Sequence, residues 1–477
     1  MAHVLERRIA MNKKTTITIA MCLAIFLVML DTTIMNITLP AIQKGLNVGL
    51  DSLSWALNIY TIIFATCTIP LSKLADIYGK GKILIIGLVL FGIGSLISGL
   101  AMEFYQLILG RVIASLGASI LLPVGNILGI SSWKVEDRFK IVAALGLTQG
   151  GAAAIGPTLG GIITDSLSWH WIFFINIPIV IIALLLLIKS FDFKKDTTVS
   201  TRIDWYGSLI SMISLCLLTL GLIKVRDWGF NDWKSITCFS ISIITGFLFI
   251  IIEKQNSSPM INLNLFRIKE FSSASLVAFI AQFFYIGVIV ILPTFFTTVQ
   301  GKSELDAALI LLPMSLTVFI FGGLGSLAIN KLGPRLLVFT GLLAILISYI
   351  LLITLDPNNT LTMSFSTLVL GVGFGIIAGP INVLAASTLD GELLTSSQSV
   401  ISVVRQIGSV IGVSVFISIL TNNIKILTVH TPQKISEAYL SIYKVWIPYL
   451  FALLFLSLLF AKRDIYLQTK DIKHEKD

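Results

Sequence analysis

The chain has 477 residues, of which 56% are hydrophobic and 12% charged, about half the roughly 25% charge of ordinary soluble domains. That balance excludes a water-soluble fold. The net charge of +9 is scattered among short polar segments instead of gathered on one face, which excludes a nucleic-acid module. Fourteen apolar runs of helix length follow one another, and backbone in lipid must satisfy its own hydrogen bonds, so an all-α integral membrane protein is expected.

The first run, Thr15 to Ile37, lacks a small-residue cleavage site and reads as a spanning helix, not a signal peptide. The next five are Leu53 to Leu74, Ile83 to Met102, Tyr105 to Leu128, Ile141 to Ile163 and Trp171 to Leu187. A polar stretch with Asp192, Lys194, Lys195, Asp196, Arg202 and Asp204 precedes runs seven and eight, Tyr206 to Leu222 and Ile236 to Ile252. A second polar stretch, Glu253 to Glu270, leads to the last six: Ser272 to Phe296, Ala307 to Ile329, Leu336 to Leu355, Thr362 to Ala385, Ser399 to Leu420 and Trp446 to Phe460. Cys22, Cys67, Cys216 and Cys238 lie inside runs with no metal or disulfide spacing and read as buried free thiols.

With fourteen spans both termini share a side. That side receives 24 of the 34 Lys and Arg, among them Arg7, Arg8, Lys13, Lys14, Lys134, Arg138 and Lys140; the other receives 8, and Arg111 and Arg405 fall within runs. The positive-inside rule then makes both termini cytoplasmic. A thirteen-helix count would spoil this asymmetry.

An internal repeat is visible. Leu74-Ala75-Asp76-Ile77-Tyr78-Gly79-Lys80-Gly81-Lys82 follows the second run, and Ala328-Ile329-Asn330-Lys331-Leu332-Gly333-Pro334-Arg335 follows the tenth, with Asn330 in the place of Asp76 and Gly333 in that of Gly79, 254 residues later. The repeat divides the chain into a six-helix bundle over 1–189, linkers and two inserted helices over 190–264, a second six-helix bundle over 265–461, and a charged tail over 462–477. Internal repeats of this kind mark transporters, with the substrate site near the midplane between halves.

Several motifs carry a resemblance. Leu30-Asp31-Thr32-Thr33-Ile34-Met35-Asn36-Ile37-Thr38-Leu39-Pro40 stands in the first run, Trp55 and Tyr60 in the second, Asp76, Gly79, Lys80 and Lys82 in the loop after it, and Arg111 with Gly117 in the fourth. Gly156, Pro157, Gly160 and Gly161 stand in the fifth run, and Arg405, Gln406, Gly408 and Gly412 in the thirteenth. Over nearly its whole length the chain resembles the major facilitator superfamily, in its fourteen-helix drug:proton antiporter branch. Ser72 stands where the loop motif usually has Gly, and Ser115-Leu116-Gly117 where the fourth-helix motif usually has Gln-Gly. Glu304 and Asp306 lie only at the start of the tenth run, which puts divalent-cation export in doubt.

A carboxylate as deep as Asp31 is costly to keep ionised, so it should face a cavity, find a cation or take a proton. The chain position of Arg111 puts it at similar depth, and the family fold lines one cavity with helices 1 and 4; these two are the expected proton-coupling pair. The resemblance adds Asn36 and Tyr60 to the substrate cavity, and Gln149, Gln282, Tyr285, Asn382 and Arg405 join them as polar or aromatic groups inside runs. The bare face around Gly156 and Gly160, with Pro157 bending the helix, is expected to act as a gate. Asp76, with Gly79 and Lys80, is expected to latch the halves at the start of helix 13, near Thr395 to Ser397.

No phosphate-binding Gly-x-x-x-x-Gly-Lys loop occurs, so the drive is expected to be a proton gradient with no cofactor. The four histidines are dispersed, which argues against a metal site. The leading expectation is a monomeric, multi-pass exporter in a bacterial cytoplasmic membrane that exchanges protons for amphipathic, cationic or zwitterionic small molecules, with no nucleic-acid partner. An exporter or flippase of an endogenous lipid, peptide or amino acid is the first rival. A membrane enzyme or receptor is disfavoured, because no nucleophile-base-metal constellation appears.

Overall fold

The computed structural model describes residues 2–48, 50–134, 137–193, 204–256, 259–385, 389, 391–426 and 431–463. The N-terminal bundle holds α1 (Ala2–Leu46), α2 (Leu50–Tyr78), α3 (Lys80–Gly99), α4 (Phe104–Ser131), α5 (Arg138–Ser166) and a sixth span broken at Ile175 into α6 (Trp171–Phe174) and α7 (Asn176–Ser190). Then come α8 (Trp205–Trp228) and α9 (Trp233–Gln255). The C-terminal bundle holds α10 (Lys269–Thr294), α11 (Glu304–Leu332), α12 (Pro334–Thr354), α13 (Thr360–Leu384), α14 (Gly391–Lys425) and α15 (Pro432–Leu453), the last prolonged by a 3₁₀ segment to Leu459. Among the described residues thirteen spans are long and apolar enough to cross a membrane. The fourteenth, α5, is 29 residues long but carries six glycines, which dilute its hydropathy without shortening it.

Several helices outrun the apolar signal. α1 continues past Ile37 to Leu46, α14 begins eight residues before Ser399, and α15 begins at Pro432, fourteen before Trp446. The first turns of α15 are amphipathic: Gln433, Lys434 and Lys444 are exposed while Ala438, Tyr439, Ile442 and Tyr443 are buried. A helix of this kind shows by its 3.6-residue period and not by mean hydropathy. Of the cysteines only Cys238 is fully buried; Cys22, Cys67 and Cys216 are half-buried, and all four are free.

Each bundle is wired alike. α1 packs on α5, α2 on α4 and α3 on α4; correspondingly α10 packs on α14, α11 on α13 and α12 on α13. The two repeat loops share their backbone as well, with Gly79 at φ 104° and Gly333 at φ 79°, where a side chain would be strained. Between halves, α5 runs along α11 and α14 along α2. Gly150 and Gly151 meet Phe319, Gly323 meets Leu147, and Gly161 meets Leu305, so α5 and α11 touch over most of their length.

The inserted pair is layered. α8 contacts α2 and α14, whereas α9 packs on α8, joined by a reciprocal bond in which each of Ser214 and Ser242 donates its hydroxyl to the other's carbonyl at 2.9 Å. The outer face of α9, with Ile243, Ile244 and Phe247, is exposed, as a lipid-facing surface would be.

Candidate functional site

Asp31 and Arg111 meet inside the N-terminal bundle. Nη1 of Arg111 donates to Oδ2 of Asp31 at 2.6 Å, and their residues are 3% and 1% exposed. The guanidinium lies over the Tyr60 ring at 4.2 Å, with Phe173 further off at 6.0 Å, a cation–π arrangement that partly replaces lost hydration. Asn176 donates from Nδ2 to Oδ1 of Asp31 at 3.5 Å and to Oγ of Ser95 at 3.2 Å. Asn176 opens α7 immediately after the break at Ile175. Ser115 donates to the carbonyl of Tyr60 at 2.6 Å; the departure from the usual fourth-helix motif thus fastens α4 to α2 beside the ion pair.

Asn176, Ser95 and Phe173 were missed by sequence reasoning. A lone Asn inside an otherwise apolar run, two residues before Pro178, was the available signal. Among the described residues, Arg111 Nε and Asn176 Oδ1 are buried without a hydrogen-bond partner. The network is therefore incompletely satisfied.

The turn after Asp31 packs against α5. A β-carbon on Gly156 would strike Thr33, and one on Gly160 would come within 3.4 Å of the Ile34 carbonyl. Gly156 and Gly160 therefore face α1 within the N-terminal half, while Gly150, Gly151 and Gly161 face α11 across the interface. Pro157 lies in this unbroken helix, and its side chain and that of Asn36 are outside the described set.

On the side of the termini, Asp76 accepts a bond from the Thr395 hydroxyl of α14 at 2.7 Å and pairs with Lys80 at 3.0 Å. Asp76 is buried at 1% exposure, and Thr395 lies in the second turn of α14, not at its first residue. Arg138, expected only to set topology, donates to the Leu389 carbonyl at 3.0 Å and adds a second bond between halves. Beyond that loop, Asp137 pairs with Lys140 at 2.9 Å, and this hydrogen bond holds its carboxyl below the usual carboxylate range.

The remaining cavity residues do not converge on Asp31. Tyr285 stacks on Phe374 of α13 at 4.0 Å and 11°, beside a cluster in which Phe283, Phe284, Phe416 and Trp446 pack on one another. Gln149, Gln282 and Asn382 are half-buried on α5, α10 and α13. Arg405 is the fifteenth residue of α14, deeper than the six-residue depth expected from the run, and it makes no hydrogen bond or ion pair among the described residues. Asp306 serves the start of α11: its backbone N–H donates to Ser303 Oγ at 3.0 Å, and that hydroxyl donates to its carboxylate at 2.6 Å.

Two repeated bundles, a two-helix insertion and a buried acid–base pair define a polytopic secondary transporter. The Major Facilitator Superfamily model matches residues 21–413, and the chain belongs to that family; it is not an enzyme. It is 29% identical over 416 residues to Multidrug resistance protein 3 of Bacillus subtilis, covering 85% of this chain and 79% of that one. To the Multidrug export protein EmrB of Escherichia coli it is 27% identical over 409 residues, covering 85% and 80%. Its fold is similar to the proton:xylose symporter XylE, with TM-score 0.62, 16% identity and 93% and 96% of the two chains covered. It is also similar to the human organic anion transporter MFSD10, with TM-score 0.65, 13% identity and 93% and 99% covered.

Proposed function

We propose that the chain is a proton-coupled antiporter that exports amphipathic, cationic or zwitterionic small molecules from a bacterial cell by alternating access, with its termini in the cytoplasm. The observation that carries this reading is the Asp31–Arg111 pair, buried to 3% and 1% exposure. Removing one partner of a buried pair strands a charge at a cost of about 3–5 kcal/mol. Neutralising Asp31 with a proton likewise takes the counter-ion from Arg111, leaves its charge to the faces of Tyr60 and Phe173, and loosens α1 from α4. A ligand shifts a conformational equilibrium only by its differential affinity for the two states, and the proton supplies this difference: the paired form suits the packing seen here, and the protonated form suits one in which α1 and α4 separate. The names of the curated relatives support a drug-like cargo.

The same residues serve as the substrate's competitor. A cation arriving while Asp31 is ionised gains from its charge, and protonation removes that attraction, so the two ligands exclude one another. The rival reading, export of an endogenous lipid, peptide or amino acid, draws on Arg405, whose uncompensated charge suits an acidic group on the cargo. Inside-out vesicles with an imposed pH gradient, offered a panel of dyes, drugs, amino acids and lipids, test both. Uptake of cationic dyes that collapses with the gradient is expected; uptake confined to acidic endogenous compounds would overturn the drug reading.

A further inference from the structure

Where α11 ends, α12 begins and the last span finishes, basic side chains gather at one corner of the C-terminal bundle. Arg335, the second residue of α12, donates from Nε to the Phe460 carbonyl at 2.8 Å and from Nη2 to the Leu458 carbonyl at 3.2 Å. It thereby closes the 3₁₀ segment that prolongs α15. Arg463 lies against the turn at Gly333, where a β-carbon would stand 2.8 Å from its Cα, and donates from Nε to the Asn330 carbonyl at 3.3 Å. Lys462 is exposed and bonds to none of the described residues.

These three cations line one cavity of about 310 Å³ whose remaining walls are mostly apolar, Leu336, Phe339 and Leu458 among them. The three apolar residues are 46%, 38% and 59% exposed, as side chains turned to lipid would be. Phe339 follows Arg335 by four residues on the same face of α12, about 6 Å further along its axis. The corner thus passes from charge to hydrocarbon in the order in which a phospholipid does. In the first half of the repeat the place of Arg335 is taken by Gly81, which packs against the ring of Phe191; protein fills there what is a charged cavity here.

Closing the 3₁₀ segment accounts for two donors of Arg335, and the positive-inside rule accounts for cations on this side. Neither gathers three of them around an apolar hollow. No carboxylate is among the described residues that line it; Asp464, next in the chain, lies outside the described residues. On the other side of Arg335 a smaller cavity of about 200 Å³ has Lys269 and Glu270 in its wall, and that acid makes it the poorer seat for an anion. A soluble phosphate would leave the apolar walls uncovered, whereas basic pockets between spans on the cytoplasmic side take lipid headgroups. We propose that the larger cavity binds an anionic phospholipid, its phosphate among Arg335, Lys462 and Arg463 and an acyl chain along Leu336 and Phe339. The cytoplasmic placement of this leaflet rests on the orientation proposed above.

The test is native mass spectrometry of the full-length protein titrated separately with phosphatidylglycerol and phosphatidylcholine. It needs neither gradient nor cargo, so it can fail while the antiport reading stands, and the reverse. Phosphatidylglycerol should bind at least about fivefold more tightly than phosphatidylcholine, and Lys462→Gln should weaken it about fivefold, the worth of one cation near the surface. Lys462→Gln together with Arg463→Gln should weaken it about thirtyfold. Removing two exposed lysines of the N-terminal half, with Lys13→Gln and Lys134→Gln, should change it less than about twofold. If the Arg463 variant fails to fold, Lys462→Gln against Lys134→Gln makes the same comparison. Equal losses from the two corners, or no preference for phosphatidylglycerol, overturn the proposal. So does complete displacement of the lipid by an equal concentration of glycerol 3-phosphate, which would make this a site for soluble anions.

Discussion

Applying the offset between Asp76 and Asn330 to the first helix takes Asp31 to Tyr285. In the N-terminal bundle α1 and α4 are joined through the ion pair of Asp31 and Arg111; in the C-terminal bundle α10 and α13 are joined through the stacked rings of Tyr285 and Phe374. One scaffold thus carries two chemistries. A charged contact answers to a proton and an aromatic contact does not, so the proposed coupling is confined to one half while the other half offers apolar and π surface. The loops differ in the same sense: Asp76 holds Lys80 and Thr395, while Asn330 leaves its Oδ1 buried and unbonded among the described residues.

The largest effect is expected where the charged half is made inert. Asp31→Asn preserves an acceptor for Arg111 but cannot titrate, so the protein should fold while pH-driven dye efflux in inside-out vesicles falls by roughly the 5- to 150-fold that coupling energies of 1–3 kcal/mol represent. Near-normal efflux would erase the distinction between the halves.

The next concerns the bond between halves. Thr395→Ala removes the hydroxyl that Asp76 accepts, a bond to a charged group worth about 1.5–3 kcal/mol, and should raise the population open on the side of the termini by about tenfold or more. Spin-label distances between the ends of α2 and α14 would report it. An unchanged distance distribution would mean that Arg138 and Leu389 hold the closure alone.

A smaller change is expected in the aromatic half. Tyr285→Leu deletes a stacked pair worth about 0.5–1.5 kcal/mol. It should raise the half-saturating concentration of aromatic dyes several-fold while leaving their dependence on the pH gradient intact. Loss of gradient dependence in this variant would show that coupling is not confined to the N-terminal half.

The sequence carried the architecture because lipid imposes length and hydropathy on each span, and the repeat carried the division into bundles. Asp31 and Arg111 were legible because a charge inside an apolar run is costly enough to be conspicuous. Asn176, Ser95 and Ser115 were not, since small polar residues inside a run cost little and their roles depend on which neighbour they meet. Glu253 looked like loop because the hydropathy signal ended at Ile252, although the helix buries one further turn. The amphipathic start of α15 and the early turns of α14 escaped for the same reason: burial there comes from protein packing, not from lipid.

The smallest effect is expected at α9, the element furthest from either chemistry. Ile243, Ile244 and Phe247 are 71%, 58% and 64% exposed, and α9 packs chiefly on α8. Replacing those three with Ala shortens side chains that meet lipid and not cargo, so stability and expression should fall slightly while the set of exported compounds stays the same. Changes along α8 lie nearer the centre, because its Leu222 carbonyl accepts a bond from Ser414 of α14, and they should cost more stability than those in α9. A panel of dyes and drugs measured against each set of variants separates the cases. A consistent change in which compounds leave the cell on altering α9 alone would place the inserted pair inside the transport pathway, and the contrast between two bundles would then have to become one among three parts.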